Sequence, residues 1–279
     1  MSPRCSRPGN RALALVGLLV ALAGCASSLS VDDERRLAYQ ADREVRQQSV
    51  MVSDPVVNEY VDKIGQRIVA TLPPNPYEFQ FAVIDDDEIN AFTPGAGFVY
   101  IHTAVLLNAR NVSEVAGVMA HEIGHVMRRH VADNYVRSRN TGTLYQLGTV
   151  AAGVFGGPLA YDAAVLGGQL GALAALNTFT REDESEADAF AVPVLAKAGY
   201  DPNGLVTFFG TIKARYGDSS SFLSSHPAPS DRIDATKALI AELPPNPDLR
   251  VDDGGQLEII QRRIRLLEKL RVQRRVRAR

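Results

Sequence analysis

His121-Glu122-Ile123-Gly124-His125 places two imidazoles four residues apart in a chain that has only five histidines. Positions i and i+4 of an α-helix lie one above the other, so both rings can grip one metal ion. Glu122 is turned partly aside and can act on a water at the metal instead of binding the metal itself. The chemistry implied is metal-assisted hydrolysis of a peptide bond.

The run falls where a helix is expected. Ser113 can cap it, Glu114 suits its first turn, and Val115, Val118, Met119, Val126 and Met127 recur at helical spacing. Catalytic zinc sites generally show three protein ligands and an open position, so a third ligand must come from elsewhere. A metzincin would carry Gly three residues and His six residues after the second histidine; Arg128 and Val131 stand there, which excludes that subclass. His130 falls around the helix from the ligand face and reads as an exposed helix-end histidine. The better source is the acid-rich segment Thr180 to Asp188, in which Glu184 and Asp188 share a helical face. One carboxylate can bind zinc while the other accepts a hydrogen bond from the outer nitrogen of a ligand histidine and fixes its tautomer. Taken alone, the same run reads as a solvated helix start, where acids favour the dipole.

HEIGH together with the downstream T-R-x-x-E-x-x-A-D resembles metallopeptidase family forty-eight of the gluzincin clan, which includes heat-shock membrane proteases, CAAX-prenyl proteases and periplasmic lipoprotein proteases. Asn90 to Ile101 resembles the strand bordering that family's cleft, and Ser225-His226-Pro227 followed by Asp231-Arg232-Ile233 resembles its C-terminal signature. The resemblance implies an α+β, mostly helical, zincin-like domain with a small sheet beside the cleft and two zinc-ligand helices. It implies one zinc ion held by His121, His125 and Glu184, with Glu122 as general base and Asp188 behind a ligand histidine. His226 would lie close to the metal, either stabilising the oxyanion or occupying the water position in a resting form. Arg232 would hold the cleft and pair with an acid near the site. Thr180 stands where the family more often has Ser, and either hydroxyl can cap a helix.

Substrate binding is expected around Asn90, Gly95, Gly97, Phe98, Val99 and Tyr100. Gly95 and Gly97 allow close backbone approach, and residues 98 to 101 have strand composition. As an edge strand this segment could pair with an extended polypeptide; on composition alone it reads equally as a core strand.

Arg4, Arg7 and Arg11 precede a short apolar run, Ala12 to Ala23, and then Leu22-Ala23-Gly24-Cys25. This reads as a lipoprotein signal over residues 1–24, with Cys25 lipidated and Ala26 favouring the periplasmic face of the outer membrane. With Cys5 removed and Cys25 acylated, no thiol pair remains for a disulfide. The expected divisions are 25–50 for the lipidated N-terminus and first helix, 51–245 for the catalytic domain and 246–279 for a basic helical tail.

Residues 32–49 and 55–70 read as helices and Phe79 to Ile84 as a strand. Residues 140–180 read as packed helices with a mobile lid, or as a membrane or partner contact. The chain is formally −2, yet residues 256–279 hold nine Lys or Arg against two Glu, which leaves an acidic body that argues against nucleic acid as a partner. Leu257, Ile260, Ile264, Leu267 and Leu270 let part of that basic segment pack while its other face meets water or anionic lipid. The leading expectation is an endopeptidase acting on unfolded or misassembled envelope proteins. The alternative is a zinc-containing periplasmic chaperone or assembly factor for outer-membrane proteins with little proteolysis.

Overall fold

A computed structural model of the 279-residue chain describes residues 28–140, 177–216, 226 and 229–277. The lipoprotein signal with Cys25, and residues 141–176 of the expected lid region, lie outside them. Along the described chain run α1 (Val31–Gln48), α2 (Pro55–Val69), β1 (Gln80–Ile84), β2 (Ala91–Gly95), β3 (Phe98–His102), α3 (Thr103–Asn108), α4 (Val112–Arg128), α5 (His130–Asn140), α6 (Arg181–Ala198), α7 (Asn203–Tyr216), α8 (Pro229–Ala241) and α9 (Gln256–Arg277). The architecture among the described residues is mostly helical with one small sheet, as the resemblance implies. Among the described residues, no helix is long and apolar enough to cross a membrane.

Helix starts follow the side chains available to satisfy free backbone N–H groups. Asp54 accepts from the N–H groups of Val56 and Val57, with Pro55 beside it at the first turn of α2. Thr180 and Asp183 form a reciprocal capping box on α6, so the hydroxyl acts as the cap expected of it. At α4 the cap is Asn111, which accepts from Glu114 N–H, and not Ser113. Ser113 lies inside the first turn and donates its hydroxyl to the Arg250 carbonyl, tying α4 to the chain that leads into α9.

The sheet has the order β1-β3-β2. β3 runs parallel to β1, Gln80 opposite Phe98, and antiparallel to β2, Ala91 opposite Ile101. Its side chains alternate between two cores. Val99 and Ile101 join the main core with α2, α3, α4, α6 and α7, whereas Phe98 and Tyr100 face Ala38 and Val45 of α1. This topology corrects the edge-strand reading of residues 98 to 101. β3 is hydrogen-bonded on both sides and fully buried, so Phe98, Val99 and Tyr100 have no free backbone edge for a substrate. The outer strands are β1, whose far side is hydrogen-bonded by residues 50 to 52, and β2. Gly97 is needed for the turn itself, because with φ at 97° a Cβ there would sit 2.4 Å from the Glu78 carbonyl oxygen.

α4 is the centre of the molecule, buried from Val112 to Val126. Glycines let its neighbours come close. A Cβ on Gly117 would meet the Leu205 backbone nitrogen of α7 at 2.7 Å, one on Gly204 would meet the Ser113 carbonyl oxygen at 2.2 Å, and one on Gly124 would lie 3.0 Å from the Ala187 carbonyl oxygen of α6. The basic C-terminal segment is built into the same core through Leu257, Ile260 and Ile264, while Leu270 is exposed.

Gly204→Ala forces backbone apart and is expected to destabilise the fold by about 1–3 kcal/mol, as overpacking generally does. A thermal melt that matched the parent's would refute the close α4–α7 contact.

Candidate metal centre

Two helices that are distant in sequence meet at Gly124 and Ala187, and their contact brings the site together. His121, Glu122 and His125 project from the buried middle of α4, and Glu184 and Asp188 from the first turns of α6. His226 lies between α7 and α8, and Arg232 is on α8. All seven are buried.

One ligand atom from each of His121, His125, Glu184 and His226 falls within 4.8 Å of the others. His121 Nε2 is 3.0 Å from His125 Nε2 and 3.2 Å from His226 Nδ1. Glu184 Oε1 is 2.8 Å from His226 Nδ1 and 3.4 Å from His125 Nε2, and Glu184 Oε2 is 3.4 Å from His121 Nε2. Tetrahedral zinc with N/O bonds of about 2.0–2.1 Å keeps its donors roughly 3.3 Å apart. The observed separations match that shell.

Tautomers give a second test of the fit. His121 Nδ1 lies 2.9 Å from Asp188 Oδ1, and a carboxylate only accepts, so the proton is on Nδ1 and Nε2 carries a lone pair. That lone pair faces the other donors. The surrounding charge has the sign a cation needs: burial works against a charged His121, but the Glu184 and Asp188 carboxylates outweigh it and raise its pKa. Burial also opposes charge on Glu184 and Asp188, yet both are held below the usual carboxylate range, Glu184 mainly by His226 and His121 and Asp188 mainly by Arg232. Burial keeps His125 neutral.

Arg232 ties the outer parts together. Its Nε and Nη2 reach the two Asp188 oxygens at 2.8 Å each, and Nη1 pairs with Glu184. The guanidinium also lies over the Phe209 ring, 4.6 Å from its centroid. Glu122 differs from every other acid here. Among the described residues neither of its oxygens accepts a hydrogen bond, His226 Nε2 lies 3.5 Å from Oε1, and burial pushes its pKa from 4.5 to about 8.

The profile of peptidase family M48 matches residues 55–240, which contain the whole donor group. The chain belongs to peptidase family M48. A Vibrio cholerae relative is 35% identical over 224 residues, covering 78% of this chain and 46% of its own length. Beta-barrel assembly-enhancing protease of Escherichia coli K12 is 32% identical, covering 74% and 44%. Metalloprotease LoiP of the same organism is 27% identical, covering 74% and 80%. The chain thus spans about half the length of the first two relatives.

The site residues read from sequence divide in two. His121, Glu122, His125, Glu184, Asp188, His226 and Arg232 converge in and around the buried donor group. Asn90, Gly95 and Gly97 lie in and around β2 and its turn, outside the donor group, and Phe98 to Tyr100 are buried in β3. His130 requires a correction: it is buried, not exposed, with Nδ1 2.8 Å from His125 Nδ1, and burial lowers its pKa. Arg129 adopts a left-handed conformation (φ 61°, ψ 29°) that ends α4 and turns the chain back, and only Gly or Asn at that position would have signalled it in the sequence. Phe179 was also missed; its ring stacks on His125 with centroids 3.8 Å apart.

A neutral Glu122 in the metal-free fold against a charged one in the unfolded chain means that stability without metal falls as pH rises from 4.5 towards about 8. Metal binding requires the opposite, deprotonated ligands. Melting temperatures taken with chelator and with excess Zn²⁺ should therefore diverge as pH rises from 5.5 to 8. A zinc-dependent increase that is constant across this range would contradict the linkage.

Proposed function

We propose that this M48 protein is a zinc-dependent endopeptidase of the bacterial envelope. The observation that carries the reading is the Glu122 carboxylate, buried with no hydrogen bond to either oxygen among the described residues and set against a ready-made group of metal donors. An uncompensated buried acid costs stability, and groups so perturbed cluster at functional sites.

His121, His125 and Glu184 would hold the ion, with Asp188 fixing the His121 tautomer and Arg232 balancing the two carboxylates. Zinc at such a site polarises a carbonyl and lowers the pKa of water to about 7. Glu122 then serves as the proton carrier: it takes a proton from the attacking water and hands it to the departing amine. Its raised pKa suits that task, since the group must gain and lose a proton near neutrality. His226 Nδ1 sits inside the donor group, which supports the resting-form role over the oxyanion role. Substrate entry would then need His226 to withdraw.

An extended polypeptide would pair along β2, an edge strand that packs against the metal helix. Asn90 and Gly95 would lie along that path. Substrates would be unfolded or misassembled envelope proteins, a role supported by the name of the Escherichia coli relative and by the sequence signal for lipidation at Cys25 and residence on the periplasmic face of the outer membrane.

Glu122→Gln should retain zinc but lose peptide hydrolysis by on the order of 10²–10⁴-fold. Chelation should abolish hydrolysis, Zn²⁺ should restore it, and serine- or thiol-directed reagents should leave it untouched. If Glu122→Gln kept the full cellular activity, the protein would instead act as a zinc-containing chaperone or assembly factor.

A further inference from the structure

We propose that His130 is a positioning residue for the metal site, holding His125 in the tautomer and orientation that ligation demands. This rests on the zinc reading above and assigns a part of the site outside the donor group.

His130 opens α5, buried, with Nδ1 2.8 Å from Nδ1 of His125. Two ring nitrogens at that distance share one proton, so one donates and the other accepts. A neutral imidazole that binds metal through Nε2 carries its proton on Nδ1. His125 therefore donates and His130 Nδ1 accepts, which places the proton of His130 on Nε2. That nitrogen faces acids, with Glu186 Oε2 at 3.6 Å and Asp183 Oδ1 at 4.0 Å. One assignment thus suits three groups in series, whereas the reverse would point an N–H of His125 into the ligand set.

The two ligand histidines are served differently. His121 bonds a carboxylate directly through Nδ1, whereas Nδ1 of His125 meets a second imidazole, whose own Nε2 lies near two carboxylates without hydrogen-bonding either. The Phe179 ring lies on the face of His125, at 18° and 3.8 Å, so that ring is fixed at both edge and face. In an uninterrupted helix, five residues of separation would set His130 about 140° around the axis. The left-handed Arg129 removes that obstacle.

Asparagine and glutamine separate the two nitrogens of His130, because the shorter amide reaches the place of Nδ1 and the longer one that of Nε2. Zinc affinity is measured on the full chain by competition with a chromophoric chelator, with circular dichroism for the fold and the Co²⁺ visible spectrum for ligand geometry. His130→Asn should stay within about 3-fold of the parent, whereas His130→Gln and His130→Leu should bind zinc roughly 10–100-fold more weakly, the range for lost outer partners of ligand histidines. Their Co²⁺ spectra should be altered and that of the Asn variant restored. Equal affinities in the Asn and Gln variants, both high or both low, overturn the assignment. A parent protein that binds no zinc overturns the metal reading instead. If the Leu variant fails to fold, the Asn and Gln pair, matched in polarity, still decides.

Discussion

With both rings neutral and protonated at Nδ1, His121 and His125 would point two nitrogen lone pairs at each other across 3.0 Å, an arrangement that repels unless a positive charge stands between them. His121 and His125 are held in that arrangement because each ring has its Nδ1 engaged elsewhere, by Asp188 and by His130. The wider charge balance tells the same story. With the histidines neutral, as ligation demands, and Glu122 deprotonated, the three buried carboxylates Glu122, Glu184 and Asp188 face the buried guanidinium of Arg232, two positive charges short of neutrality. A divalent cation supplies that amount, and the low-dielectric interior makes the balance matter.

Such a group exists only because helices can approach closely. Gly124 sits between His121 and His125 in sequence, and its missing side chain is the space into which the Ala187 backbone fits. Ala187 lies between Glu184 and Asp188 in turn, so one contact sets the depth at which both acids reach the rings. The capping box at Thr180 and Asp183 fixes where α6 begins, and hence which of its acids face inward. Glu184 and Asp188 turn to the core while Glu182 and Glu186 stay exposed.

Much of the centre was legible in the residues because its spacing is helical and local: HEIGH and the Glu184–Asp188 pair each need only one turn of helix to become a face. The general shape of the fold followed for the same reason, since α1, α2 and β1 announce themselves by period. What stayed hidden depended on contacts between distant segments or on unusual backbone. Strand composition does not say whether a strand has one neighbour or two, so β3 could not be told from an edge. Ser113 loses the capping position to Asn111 two residues earlier and finds a partner in Arg250, more than a hundred residues away. His130 escaped because an arginine in a left-handed conformation leaves no compositional trace.

The alternation of β3 between two cores has a mechanical consequence. Phe98 and Tyr100 fill the space under α1, while Val99 and Ile101 fill the space on the side of α4. A slip of one residue would exchange the sets, driving two aromatic rings towards α4 and leaving voids beneath α1. The tight turn through Gly95, Ala96 and Gly97, all three at positive φ, locks the hairpin against such a shift. The sheet therefore acts as a gauge block, setting the distance between the N-terminal helix and the helix that carries the histidines.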